Sequence, residues 1–132
     1  MKRTDRHGVA AVEFALVAPL FFFLLLGMIE YGGYIRVTQM MTNISRDAAR
    51  AAAAEGTTPA SFQKYMGDLF KKMGVEGLPI QVSLKPLDPR APAGTPMTAT
   101  ASIPFRALHW GEPFFLRDSV VRGITVMRKE GT

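Results

Sequence analysis

The feature that most constrains this chain is an apolar run of 21 residues, Val9–Ile29, which contains a single charge, Glu13. An α-helix rises about 1.5 Å per residue, so about 20 residues cross a bilayer core of roughly 30 Å. Phenylalanine and leucine side chains at positions 21–26 cover every face of such a helix, and the rest of the chain is too small to enclose them. The run therefore predicts one membrane-spanning helix rather than the core helix of a soluble domain.

Basic residues before the run indicate its orientation. Lys2, Arg3 and Arg6 precede it, whereas Glu30 and Arg36 follow it. The positive-inside rule places the N-terminus in the cytoplasm and the C-terminal part outside. A cleaved secretory signal is the alternative, but no small-residue cleavage site follows the run promptly.

Two residues inside the span depart from its apolar pattern. Pro19 cannot donate a hydrogen bond to the carbonyl of Ala15, which predicts a kink or a loosened turn. Glu13 costs about a few kcal/mol on insertion scales, and such a residue normally has a partner or a role in a transport pathway. Because Glu13 is near the cytoplasmic end, it could instead reach the interface, and the residues alone leave both interpretations open.

The helical pattern continues beyond the membrane. Apolar residues recur at intervals of three and four, and the alanine-rich segment 48–54 favours helix up to a stop at Gly56. A helix from about Ala10 to Ala54 is roughly 67 Å long, so its outer half needs a surface to pack against. That surface is either its own C-terminal domain or neighbouring copies. The predicted stripe consists of Tyr34, Val37, Met41, Ile44, Ala48 and Ala51.

The remainder of the chain predicts a small α+β domain. Thr58 and Pro59 are a cap and first-turn signal for a short helix that ends at Gly74. Alternating apolar and polar residues then indicate about three strands of a small antiparallel sheet, separated by loops at 86–96 and 109–113. The strand patterns cover Ile80–Leu84, Met97–Phe105 and Ser119–Met127.

Composition and motifs favour neither catalysis nor nucleic-acid binding. The net charge is +5, but without residues 1–8 only 13 Lys and Arg face 10 Asp and Glu, with no basic stripe among aromatic residues. Cysteine is absent, and the only histidines are His7 and His109. Glu112 and Asp118 are typical of surface charge. We expect no enzyme, catalytic residue, metal, cofactor, small-molecule substrate or nucleic-acid partner.

The residues around the start of the span form a recognisable pattern. Segment 7–19 reads HGVAAVEFALVAP, with a glutamate five residues after a glycine and a proline six residues later. Phenylalanine and leucine runs follow, then GMIEYG at 27–32 and the alanine-rich segment around Arg50. Over about residues 7–56 the chain resembles the TadE-like proteins. These are pilin-like components of the tight-adherence (Flp-type) pilus, a relative of type IV pili and type II secretion systems.

The resemblance implies processing and assembly. A membrane prepilin peptidase would cut after Gly8 and leave Val9 as the new N-terminus. Glu13 matches the family glutamate that meets the freed amine, of a neighbour or of its own chain, as subunits assemble. An ammonium paired with this carboxylate lowers the cost of both charges in lipid. The implied partners are the prepilin peptidase, other pilin-like subunits of the same apparatus and the lipid of a bacterial inner membrane.

Two departures from the pilin pattern narrow the predicted role. The mature chain would begin with Val9, whereas type IV pilins usually begin with Phe, and this weakens the prediction of N-methylation more than that of cleavage. Its C-terminal part is also larger than that of the very short major pilins. We therefore expect a minor pilin or pseudopilin-like assembly component, in the inner membrane or incorporated into a surface pilus. The alternative is an uncleaved bitopic inner-membrane protein whose periplasmic domain binds a partner or ligand.

The sequence divides into four predicted segments. They are a cytoplasmic leader (1–8), a transmembrane helix (9–29), an extramembrane continuation of that helix (30–55) and a small α+β periplasmic domain (56–132).

Overall fold

The computed structural model describes residues 5–86, 91–108 and 111–131. It confirms the α+β prediction: a long N-terminal helix, a second helix and a three-stranded antiparallel sheet. Part of the proline-rich loop (87–90) and the predicted loop residues His109 and Trp110 lie outside the described residues. The elements are α1 (Asp5–Ala53), α2 (Pro59–Met73), β1 (Gln81–Lys85), β2 (Pro96–Pro104), a single 3-10 turn (Phe105–Ala107) and β3 (Val120–Arg128).

Helix α1 is continuous over 49 residues, which corresponds to about 74 Å at 1.5 Å per residue. It begins at Asp5, before the predicted start, and Pro19 lies inside it without ending it. It ends at Ala53, slightly before the glycine predicted as its stop. The N–H of Glu130 donates to the carbonyl of Ala53 at 2.8 Å, so the C-terminal tail satisfies one of the carbonyls that a helix end leaves free.

Helix α2 has the ends that the sequence predicted. Thr58 is the N-cap, and it forms a capping box with Ser61 in which each side chain accepts from the other residue's backbone N–H. Gly74 ends the helix in the left-handed conformation, with φ of 67°, where a glycine has no Cβ penalty. Met66 is buried, and the helix packs its apolar face on the core.

Strand β2 is the centre of the sheet, with β1 and β3 antiparallel on either side. Its residues alternate between buried and half-buried positions, as the period of two predicted. The face toward the helix carries small residues opposite one another, including the register pairs Ala101–Gly123 and Ala99–Thr125. The inner face of β2 and the following turn consists of Met97, Ala99, Ala101, Ile103 and Phe105, all buried.

The C-terminal half of α1 (residues 34–53) packs against its own sheet, mainly against β2 and β3. Met41, Ile44 and Ala48 of the predicted stripe are fully buried, whereas Ala51 is only half-buried. Four residues that the stripe did not include are also buried: Ser45, Ala49, Ala52 and Ala53. The buried face is therefore wider than the predicted stripe, because small residues let the helix lie close to the sheet.

Helix and sheet approach each other closely at Gly123. A Cβ at this position would overlap the backbone of Met41 and Thr42. Beside it, the Ser45 hydroxyl donates to the Thr42 carbonyl at 2.8 Å, and its oxygen lies 2.8 Å from the Thr125 hydroxyl. Because the single Ser45 proton is used within the helix, Thr125 is the donor to Ser45. This hydrogen bond ties β3 to α1 at the crossing point.

Candidate functional site

Most of the N-terminal half of α1 is not covered by other parts of the described chain. Within Gly8–Ala53 lies a window that is long and apolar enough to span a membrane, and none of that window is buried. Phe14, Leu16 and Leu20 expose 71%, 75% and 70% of their surface. A core helix would be covered by the rest of the chain, so that alternative is wrong for the described residues. The helix is a candidate membrane span.

The predicted processing residues lie at the beginning of this helix. Gly8 is in the first turns of α1, and its Cα faces open space, since an added Cβ would meet nothing within 4 Å. Val9 follows and is 59% exposed. The first turn of a helix lacks intrahelical acceptors for its N–H groups, so it is the part of α1 that unwinds at least cost.

Glu13 lies on the same face of α1 as Val9, because four residues make slightly more than one helical turn. It is exposed and surrounded by apolar residues. Within the part of the chain that the structure describes, its carboxylate has no hydrogen bond or ion pair. Pro19 lies further along the helix and is not brought next to Glu13. The structure thus places Glu13 one helical turn from Val9, the residue that follows the predicted cleavage site, whereas Pro19 lies apart from both.

A second arrangement, at the other end of the span, was not predicted. Glu30 is only 5% exposed, and its carboxylate accepts hydrogen bonds from three consecutive backbone N–H groups. Phe114 N–H donates at 3.1 Å, Phe115 N–H donates to the two carboxylate oxygens at 2.9 and 3.0 Å, and Leu116 N–H donates to Oε1. We call this arrangement the Glu30 clamp.

The clamp explains how a carboxylate can be buried directly after the apolar run of α1. Burying a charge is costly unless it is fully hydrogen-bonded, and hydrogen bonds to a charged acceptor are stronger than neutral ones. It also joins α1 to residues 111–119, which belong to the loop between the 3-10 turn and β3. The sequence alone indicates Glu30 only as a polar residue that flanks the span. No local signal marked the clamp: no cation lies three or four residues from Glu30, but the same is true of Glu13.

The charged residues of this loop lie beside the clamp. The side chains of Glu112 and Arg117 are 74% and 64% exposed, and Arg117 Nε lies 3.6 Å from Glu112 Oε2. Asp118 is also exposed. Glu112 is therefore part of a surface ion pair, as its sequence context indicated.

The fold and the uncovered helix define a class of protein: a small α+β domain built onto a candidate membrane anchor. Residues 8–50 match the model of the family described as TadE-like protein. The resemblance drawn from the sequence is thus confirmed over most of α1, including Gly8, Glu13 and Pro19. Neither a curated protein nor a solved structure matches the chain significantly.

Proposed function

We propose that this protein is a minor pilin or pseudopilin-like structural and assembly component of a tight-adherence pilus, with no catalytic role of its own. A prepilin peptidase would process it after Gly8 in the bacterial inner membrane, with its N-terminus cytoplasmic. The observation that carries the proposal is Glu13, an exposed carboxylate on an apolar helix within the segment that matches the TadE-like family.

An unpaired carboxylate in lipid is costly, and a nearby ammonium relieves that cost. Cleavage after Gly8 would create such an ammonium at Val9, on the face of the helix that carries Glu13. Helical side chains lean toward the N-terminus, so the Glu13 carboxylate is directed to the turn where the new amine would be. A neighbouring subunit would offer the same group, and this supports pairing between pilin-like subunits as they assemble.

The position of Gly8 supports a cut at this point. The peptidase must reach an extended backbone, and glycine lowers helix stability by about 1 kcal/mol relative to alanine. Since Gly8 lies near the helix start and is not packed against anything described, the first turn can unwind without disturbing the C-terminal domain.

Substitutions of Glu13 test the assembly role. We expect Glu13→Gln, which keeps the shape and removes the charge, to abolish pilus assembly while the protein still accumulates in the membrane. Glu13→Asp, which keeps the carboxylate, should restore part of the assembly. The measurement is the amount of sheared surface pili in cells that produce equal levels of each variant. Normal piliation with Glu13→Gln would contradict the proposal.

An uncleaved bitopic protein that binds a partner is the second candidate. The outer face of edge strand β3 favours it, because Val120, Ile124 and Val126 are 48%, 62% and 58% exposed. An apolar surface of this kind fits a partner protein. Under this function, Glu13→Gln leaves the protein's activity intact, whereas charged residues at positions 124 and 126 impair it.

A further inference from the structure

The loop between the 3-10 turn and β3 carries two phenylalanines that point away from the core. Phe114 and Phe115 are 69% and 55% exposed, whereas Phe105 in the core is fully buried. Their rings pack edge to face, with centroids 5.0 Å apart. We call Phe114 and Phe115 the phenylalanine tip.

The tip lies against the candidate membrane span. The Phe114 ring centroid is 6.1 Å from that of Phe23, and Phe115 Cε2 lies 3.7 Å from where a Cβ of Gly27 would be. Phe23 is itself 51% exposed. The exposed surface of the tip is therefore continuous with the apolar surface of α1, from Phe23, six residues before the end of the predicted span at Ile29, to Gly27.

The backbone N–H groups of the tip meet one requirement for lying at the membrane interface. Peptide N–H groups in a membrane need a partner within the protein, because water is not available there. The Glu30 clamp supplies that partner for Phe114, Phe115 and Leu116. The clamp thus leaves the tip with exposed rings and satisfied N–H groups.

The charged residues next to the tip are placed as expected at a membrane interface. Glu112 and Arg117 lie on either side of the apolar tip and are paired with each other at 3.6 Å. A segment that carries phenylalanine and leucine beside charged residues can lie at the boundary between headgroups and acyl chains, with its apolar side chains toward the acyl chains. A protein partner would also cover the rings, but continuity with the span favours lipid.

We propose that residues Pro113–Leu116 insert into the leaflet on the C-terminal side of the span, beside Phe23 and Gly27. The C-terminal domain then has two attachments to the membrane, the span and the phenylalanine tip, which together fix its tilt and rotation on the bilayer. This inference depends on α1 being a membrane span and not on a role in a pilus.

Tryptophan fluorescence of the full chain in vesicles tests the insertion. The single native Trp110 is replaced by Phe in every variant, so each added tryptophan reports alone. Phe114→Trp reports on the tip. Ile124→Trp is the matched control, because Ile124 is also on an exposed surface, at 62%, but lies on the outer face of the sheet. Leu24→Trp reports on the span.

The vesicles contain phosphatidylethanolamine and phosphatidylglycerol, with and without brominated acyl chains. We expect blue-shifted emission and at least twofold stronger bromine quenching for Phe114→Trp than for Ile124→Trp, with Leu24→Trp quenched as well. Red-shifted, unquenched emission of Phe114→Trp would overturn the inference. Blue-shifted emission without quenching would also overturn it, since a second copy or another protein surface would then cover the tip. An unquenched Leu24→Trp would show that α1 does not span the membrane, and this result would also overturn the inference.

Discussion

Gly123 controls the fit between the two main layers of the fold. Its missing side chain lets β3 lie directly on the backbone of Met41 and Thr42. We expect Gly123→Ala to lower the Tm by at least about 5 °C, because overpacking a tight contact costs about 1–3 kcal/mol and 1 kcal/mol shifts the Tm of a small domain by roughly 4–8 °C. Thermal unfolding of the full chain in detergent, followed by circular dichroism, measures this.

Gly67 provides the control for this substitution. It lies on the exposed side of α2, and an added Cβ would meet nothing within 4 Å. Gly67→Ala should leave the Tm unchanged or raise it, because alanine favours helix over glycine by about 1 kcal/mol. If Gly123→Ala behaves like Gly67→Ala, β3 is not seated against α1 as described.

Individual contacts were the part of the structure that the sequence predicted least. The apolar spacing predicted Met41, Ile44 and Ala48 in the core, and all three are buried. Ser45 was missed because its burial depends on the Thr125 hydroxyl, a partner 80 residues away. Glu30 was missed for the same reason, since its donors are on a loop that only tertiary structure brings to the helix.

At the scale of elements, the loop of residues 111–119 depends on the Glu30 clamp. Glu30→Ala removes the charged acceptor of three backbone N–H groups, and a hydrogen bond to a charged group contributes about 1.5–3 kcal/mol. We expect tryptic cleavage after Arg117 to become at least about tenfold faster, because 1.4 kcal/mol corresponds to a tenfold change in an opening equilibrium. Mass spectrometry of fragments from detergent-solubilised protein measures the rate at this bond.

Glu112→Gln is the control for the clamp. It removes an exposed ion pair whose contribution to stability is about 0–1 kcal/mol. Cleavage after Arg117 should stay near the wild-type rate. Equal rates for Glu30→Ala and wild type would show that the clamp does not hold the loop.

The ends of α2 and the buried face of β2 were predictable from short stretches of sequence. Thr58, Pro59 and Gly74 predicted both ends of α2, because capping and left-handed positions depend on a few neighbouring residues. The alternation in β2 predicted its buried face. The pairing order of the strands and the return of the loop to the span depend on long-range packing, and local patterns do not contain that information.

The two halves of the 49-residue helix α1 lie in different environments. Its first half is apolar and largely uncovered, while its second half contributes to the core of the C-terminal domain. The apolar run predicted the first half directly. The side chains of the second half are less apolar than those of the first. Its alanines and serine are buried because Gly123 and the small residues of β2 allow close contact.

We propose that α1 is a pilin-like anchor that is released for assembly by cleavage after Gly8. The most direct test is the intact mass of the protein extracted from membranes of its natural host, with the N-terminal residue identified by sequencing. We expect a mature chain that lacks residues 1–8 and begins at Val9, and we expect the Gly8→Leu variant to retain the leader. A membrane-extracted protein that still begins at Met1 or Lys2 would contradict it.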